Sequence, residues 1–363
     1  MAKKPTTATP QAYANEKDAK RAALMAAVKD IKKTYGEGAV MMMDDSSVRQ
    51  IDVLSTGALT LDAALGIGGL PRGRVIEIYG PEGTGKSTLA LHCVAEAQKA
   101  GGFAAYIDVE NAMDANYASK IGVNLNETII AQPESGEEAF EIAERLIRSN
   151  AVSIVVVDSV AALAPQQEID GSMEDQQIGA QARLIGKGLR KLTAAIKSSN
   201  TVCIFINQLR SNMNPYGSPE TQPGGKALKY YSSVRLDIRK ADALKEGSTV
   251  IGNRVKVKVV KNKVAPPFKE AMFDIIFGKG IDAVGEILDL GVAQEIITKS
   301  GSFFYYKDER MGQGRDNAKA FLANDPEKAA EIEAQIRAAL MSNKSAPVMD
   351  EDIDIDGFIE DEE

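Results

Sequence analysis

The chain has 363 residues, with 43 Lys and Arg against 51 Asp and Glu, a formal net charge of −8. At 44% hydrophobic residues it has the composition of a globular protein of two or three domains, not of a disordered one. Its single histidine, His92, excludes poly-His metal centres, and excludes histidine-assisted Ser or Cys nucleophiles unless His92 itself serves.

The total charge hides segments of opposite sign. Residues 350–363 hold nine acids and no Lys or Arg; removing them from the 51 acids leaves 42 against 43 basic groups. Residues 1–33 hold eight basic groups and three acids, and residues 226–269 hold twelve and three. An acidic total built from a basic patch and an acidic tail does not exclude a nucleic-acid partner. No apolar run reaches the roughly 18 residues of a membrane span, and the N-terminus lacks the apolar stretch of a signal peptide. The two cysteines, Cys93 and Cys203, lie far apart in apolar surroundings. A reduced, cytoplasmic protein with no membrane partner is expected.

In chain order, residues 1–10 are Thr/Pro-rich and read as disordered. Leu24, Val28, Ile31 and Tyr35 then recur at helical spacing, and Gly36 is a plausible stop. This basic amphipathic helix either packs on its own domain or docks as an arm on a neighbouring subunit. From 75 to 207 short apolar runs at 75–79, 103–107, 128–131, 154–157 and 202–206 read as buried strands. Helical stretches at 87–99, 113–121, 137–149 and 177–197 alternate with them, and Ser135 with Glu138 forms a capping box before the third. The pattern predicts an α/β fold, a parallel sheet with helices on both faces. Residues 254–260 alternate strictly between basic and apolar, which predicts a strand with one exposed, basic face. Beyond 278–280 the pattern becomes a smaller α/β unit, with a helix around Ile287, Leu288 and Leu290, a strand at 302–306 and a helix at 327–340 after Pro326. Past Ser342 the chain turns polar and then acidic, the pattern of a disordered tail. The expected organisation is 1–36, 37–280, 281–342 and 343–363.

The run Gly80-Pro81-Glu82-Gly83-Thr84-Gly85-Lys86-Ser87, followed by Thr88, fits G-x-x-x-x-G-K-[ST] between an apolar strand and a helix. Its glycines let successive N–H groups turn onto phosphate oxygens, and the helix N-terminus adds partial positive charge. Lys86 is placed to reach the β- and γ-phosphates of a nucleotide and Ser87 to ligate Mg²⁺. The strand at 154–157 ends in Asp158, at the sheet edge where open α/β sheets bind ligands, so Asp158 joins Ser87 as a metal candidate. The strand at 103–107 leads into Asp108-Val109-Glu110, and a carboxylate at that edge is a candidate to orient and deprotonate water at the γ-phosphate. The strand at 202–206 ends in Asn207-Gln208, and an amide there is a candidate to sense that phosphate and report it to the following loop.

Two segments leaving the same edge, 165–179 and 210–225, show neither helical nor strand periodicity, and long irregular segments of this kind are commonly functional. Arg210, Gly224, Gly225 and Lys226 in the second, and Arg183 and Arg190 on the helix after the first, suit phosphodiester oxygens.

These motifs in order, Glu77 to Glu82, Gly85-Lys86-Ser87, Asp108-Val109-Glu110, Val157 to Ala162, Phe205 to Gln208, Ser233 to Ile238 and Val260 to Lys263, resemble the bacterial RecA family from about residue 35 to 340. The resemblance implies a RecA-type P-loop NTPase core with a mostly parallel sheet, an N-terminal polymerisation helix and a small C-terminal α/β domain. It implies an ATP- and Mg²⁺-dependent homologous recombinase. Such a protein forms filaments on single-stranded DNA, pairs it with homologous duplex, exchanges strands in repair, and stimulates self-cleavage of LexA-type repressors in the SOS response, with recombination mediators as partners. It also implies that Glu110 activates water, that Gln208 couples ATP to the second loop, that Asp114 and Tyr117 sit at the adenine, and that Lys261 and Lys263 reach ATP bound by the adjacent protomer. Tyr230 falls at a subunit contact. Asn111, Gly186 and a second loop one residue shorter depart from the family pattern; Ile178 and Met213 are the candidates for wedging between DNA bases. A RecA-fold hexameric helicase or ring motor, and a filament scaffold with ATP as a binding switch, are the competing readings.

Overall fold

The computed structural model describes residues 10–36, 39–40, 51–172, 179–211 and 220–342. Ile178, Met213, the first nine residues and the acidic tail lie outside them. Residues 1–51 and 52–363 form two separate units.

In the first unit, Pro10–Tyr35 is a single helix, as the spacing predicts, and Gly36 follows it with φ +95° while its N–H donates to the Lys32 carbonyl at 2.8 Å. Leu24, Met25, Ile31 and Tyr35 are exposed on this helix.

The second unit is organised by a nine-stranded sheet. Its strands, labelled in chain order, are β1 (Val75–Gly80), β2 (Phe103–Asp108), β3 (Thr128–Ala131), β4 (Val152–Asp158), β5 (Val202–Gln208), β6 (Val234–Glu246), β7 (Thr249–Asn262), β8 (Glu270–Ile276) and β9 (Gly280–Ile281). The spatial order is β9-β8-β7-β6-β1-β5-β4-β2-β3. The six strands from β6 to β3 run parallel, and β7, β8 and β9 are added antiparallel. The continuous apolar runs are explained by burial on both faces. Ile76, Ile78, Ile154, Val156, Ile204 and Ile206 face the Lys86–Lys99 helix, while Val75, Val155, Val157, Cys203 and Phe205 face the Gly136–Arg148 and Ala180–Ser199 helices. Both cysteines are buried free thiols, and burial raises the pKa of each.

Four expectations are corrected. The strand at 128–131 is not buried: it forms the sheet edge, with Ile129 and Ile130 each 46% exposed. The alternating strand does bury Val255, Val257 and Val259, but its basic face is partly neutralised, since Arg254 forks onto Asp274 and Lys256 pairs with Glu270 on β8. The segment after Pro165 is not wholly irregular, because Gln166–Ile169 makes one helical turn. The second segment is held at its base by a two-residue ladder, Arg210–Ser211 against Glu220–Thr221.

A third apolar cluster unites Ile287, Leu288, Ile297, Phe304, Tyr306, Met311, Leu322, Ile332 and Ile336 with Leu59. Glu286 fastens it to the core by accepting from the Leu59 and Thr60 N–H groups, both at 3.1 Å, and from the Thr60 hydroxyl at 2.5 Å. Burial pushes the Glu286 carboxyl up to about 7 despite these donors. Among the described residues no helix is long and apolar enough to cross a membrane.

Candidate nucleotide and DNA site

The phosphate loop joins β1 to the Lys86–Lys99 helix at the C-terminal edge of the parallel strands. Two of its glycines are required sterically. A Cβ at Gly80 would collide with the Ile238 carbonyl oxygen of the neighbouring strand, and Gly85 caps the helix at φ +92°, in the left-handed region. The Lys86 ammonium donates to the Pro81 carbonyl at 2.7 Å, and Thr84 donates to the same oxygen at 2.9 Å, so the loop curls over its own lysine. Burial lowers the Lys86 pKa, against the opposing pull of Asp158, Glu110 and Glu82.

Ser87 and Asp158 come together as the motif spacing implies. The Ser87 hydroxyl donates to Asp158 Oδ2 at 2.7 Å, and the Tyr106 phenol donates to the same oxygen at 2.6 Å. Burial raises the Asp158 pKa, the two donors lower it, and Glu110 and Asp108 raise it further. A hydroxyl and a carboxylate at the loop's mouth are hard oxygen donors that fit Mg²⁺, which takes one or two protein ligands and completes its shell with phosphate and water. Among the described residues no group of three or more His, Cys, Asp or Glu side chains forms a preformed metal cage.

Glu110 follows β2 and is exposed at the same edge. Its Oε1 accepts from the Ser159 hydroxyl at 2.5 Å and from Gln208 Nε2 at 2.9 Å. Asp108 stabilises the turn that carries it, accepting from the Ala112 and Met113 N–H groups at 3.1 and 3.2 Å. Tyr106, Ser159 and Asp108 therefore support the site: no motif assigns Tyr106 or Ser159 a role, and of the two strand-end carboxylates Glu110 meets Gln208 while Asp108 braces the turn. Only the proximity of each to a recognised strand end could have marked them.

Beside the loop lies a cavity of about 260 Å³ lined by Gly83, Thr88, Tyr117, Asn253, Ile275 and Phe277, among others. The Tyr117 hydroxyl is 3.0 Å from Thr88 Oγ1. Asp114 caps the Ala115–Ile121 helix, its Oδ1 accepting from Asn116 and Tyr117 N–H. Asn253 was not anticipated. It is buried, and its Oδ1 is an acceptor without a hydrogen-bond partner, a costly arrangement that a ligand's donor would relieve.

Lys261 and Lys263 are not brought to this phosphate loop. Asn262 pairs with Val234, which pairs with Ile76 at the start of β1, so both lysines lie at the opposite sheet edge. Five residue steps along the strand lead from Val75 to Gly80, a span of about 17 Å at 3.3 Å per residue. There the Lys261 ammonium donates to the Lys229 and Tyr230 carbonyls at 2.6 and 3.3 Å, and burial with the nearby Lys263 charge lowers its pKa. Tyr230 is 68% exposed beside it.

The two candidate DNA segments meet on one helix. Gly224 and Gly225, at φ +84° and +71°, pack on Ile185 and Ala182 of the Ala180–Ser199 helix so closely that a Cβ on either would collide. Gly186, a departure from the family pattern, lies opposite Ala227. Gln181, just after the first segment, donates to the Val160, Ala161 and Leu163 carbonyls in the turn that precedes it. Arg210 shares a cavity with Gln181 and Ala161–Ala164. Arg183 and Arg190 are both exposed, but Arg183 lines a groove whose opposite wall is Glu137, Glu141 and Glu144, so this face is mixed in sign. Lys226 is exposed at the N-terminus of the Ala227–Tyr231 helix.

His92 belongs to packing, as its place on the helix implies. Its Nε2 accepts from the Ile281 N–H at 2.8 Å, and burial, with a smaller push from Lys99, lowers its pKa to about 4. The folded chain thus binds the proton less well than the unfolded chain, whose histidine titrates near 6.5. The stability this supplies is complete above about pH 6.5 and is lost as pH falls through about 4, on the order of 3 kcal/mol at most. Urea unfolding between pH 4 and 7 is expected to show that a His92→Gln chain, which keeps an acceptor, lacks this part of the acid loss; an unchanged profile contradicts the assignment.

Comparison with known proteins gives a consistent result. The RecA N-terminal domain model matches residues 22–282 and the RecA C-terminal domain model residues 285–341. Relatives named Protein RecA include one from Thioalkalivibrio sulfidiphilus, 56% identical over 329 residues, covering 90% of this chain and 96% of the relative. One from Clostridium tetani is 57% identical over 316 residues (87% and 90%), and one from Caulobacter vibrioides 54% over 351 residues (96% and 97%).

Proposed function

The chain belongs to the RecA family, and from that membership we propose that it is an ATP-dependent homologous recombinase that assembles on single-stranded DNA, pairs it with homologous duplex and exchanges strands. The observation that carries this reading is the hydrogen bond from Gln208 to Glu110. It joins the strand leading into the second candidate DNA segment to the carboxylate at the phosphate loop, so DNA contact and hydrolysis act through one pair of side chains.

In this reading, Lys86 and the loop N–H groups bind the β- and γ-phosphates. Ser87 and Asp158 are the residues that would hold Mg²⁺, Asp158 directly or through water, and the ion would supply neutralisation of phosphate charge. Glu110 orients and deprotonates the attacking water, held in place by Ser159, and Gln208 senses the γ-phosphate. Asp114, Tyr117 and Asn253 face the base. Lys261 and Lys263, at the far edge, serve the nucleotide of an adjacent copy, which makes a filament of copies the working unit and couples its geometry to the nucleotide state. The exposed apolar side chains of the N-terminal helix are its docking face. Arg183, Arg190, Arg210, Gly224, Gly225 and Lys226 contact the DNA backbone. Stimulation of LexA-type repressor cleavage, recombination mediators and a cytoplasmic location complete the reading, and the acidic tail competes with DNA for the basic surfaces.

The test is ATP hydrolysis measured with and without single-stranded DNA, with strand exchange followed in parallel. DNA-stimulated hydrolysis with exchange is the expected result. Unwinding of duplex without exchange would instead mark a ring motor.

A further inference from the structure

One charged pair in the core is not used by the nucleotide chemistry. Glu77 on β1 and Arg235 on β6 are opposite each other in the parallel register, and their side chains are 1% and 6% exposed. The Arg235 Nε donates to Glu77 Oε2, and its guanidinium lies 4.7 Å from the centre of the Tyr79 ring. A buried ion pair is weak evidence of a stabilising role, because apolar residues of similar size often stabilise a core as well or better. The other bonds of this pair indicate what it does. Arg235 Nη2 donates to Gln222 Oε1 at 2.8 Å, at the C-terminal stem of the second candidate DNA segment. Glu77 Oε1 accepts from Asn207 Nδ2 at 3.4 Å. Asn207 also donates to the Pro223 carbonyl in that stem, and its Oδ1 accepts from the Gln208 N–H at 3.0 Å.

We propose that Arg235 is a positioning residue that couples the nucleotide site to the second DNA segment, by tying Glu77 on the phosphate-loop strand to Gln222 in the segment's stem. Resting on the recombinase reading, it adds a route from Gln208 to the segment's stem that runs through side chains after its first link, the Gln208 backbone N–H. Asn207 registers a shift of Gln208 through its backbone N–H and passes it to Glu77 and Pro223, and Arg235 carries it to Gln222. Because every bond in the relay is fully or partly buried, water does not substitute readily for a broken partner, so the stem and the strand end move together. The tie to Gln222 uses a side chain that reaches Arg235 from outside the core, and its loss leaves the buried pair intact.

The test is the affinity of the full chain for a fluorescein-labelled oligothymidylate, with and without a non-hydrolysable ATP analogue. The ratio of the two affinities measures the coupling. Two variants are compared with the parent: Gln222→Leu, which cuts the relay at its half-buried end, and the pair Glu77→Gln with Arg235→Met, which removes both charges. In Gln222→Leu the ratio is expected to fall about fivefold or more while affinity for the analogue alone stays within about twofold. A merely structural role would lower both DNA affinities and leave their ratio alone. A parent ratio well above one that survives in Gln222→Leu overturns the relay and leaves the recombinase reading standing. A parent ratio of one overturns that reading, and the relay with it. Should the buried pair not tolerate substitution, Gln222→Leu alone decides.

Discussion

A Glu110→Gln chain is expected to bind ATP as the parent does and to hydrolyse it about 10²–10⁴-fold more slowly. Glutamine keeps the shape of the side chain and one oxygen acceptor, so the bonds from Ser159 and Gln208 to Glu110 Oε1 retain an acceptor. What is lost is the second carboxylate oxygen and the ability to take a proton from water. Ground-state binding, which rests on the phosphate loop, is untouched; the transition state loses its base. Single-turnover hydrolysis together with binding of a fluorescent nucleotide separates the two effects. A normal turnover rate would remove Glu110 from the chemistry, and lost binding with lost turnover would make it a structural residue.

The second large effect belongs to Lys86. Removing its ammonium in Lys86→Ala is expected to weaken nucleotide binding and to slow turnover by about 10²–10³-fold or more, the usual cost of deleting one pre-aligned charge donor. Lys86 is held at the Pro81 carbonyl within the field of Asp158, Glu110 and Glu82, so it is aligned before ligand arrives. Its loss also leaves those carboxylates without their cation, and thermal unfolding distinguishes damage to the fold from damage to the site. Lys86→Arg is not expected to rescue activity, because a planar guanidinium does not fit where a compact ammonium sits inside a closed loop. Turnover near the parent rate in Lys86→Ala would contradict the phosphate-loop assignment.

The parts of the fold legible in the sequence were those set by local patterns. The phosphate loop is one such part, since its glycines answer to backbone geometry within eight residues. The parallel core is another, since unbroken apolar runs such as Ile154–Val157 mean burial on both sheet faces. The same rule failed at Thr128–Ala131, because an edge strand with exposed Ile129 and Ile130 has the composition of a buried one. Contacts between distant positions were not legible. Ser159 and Gln208 meet Glu110 across 49 and 98 residues, and Arg235 meets Glu77 across 158. Strand order brings these groups together, and periodicity does not encode strand order. Asn253 carries no motif at all; only its unpartnered oxygen beside the loop singles it out. For Lys261 and Lys263 the sequence resemblance implied a use that a single chain cannot realise, and their position at the edge opposite Gly80 explains why.

In the proposed function, hydrolysis and DNA contact are one linked event, joined at Glu110 and Gln208. Steady-state ATP hydrolysis by the parent chain, titrated with single-stranded DNA at fixed Mg²⁺ and modest salt, tests it most directly. The predicted result is a low rate without DNA that climbs to a plateau as DNA is added, with the midpoint moving to higher DNA concentration as salt is raised. A rate that is the same with and without DNA at every salt concentration would contradict it.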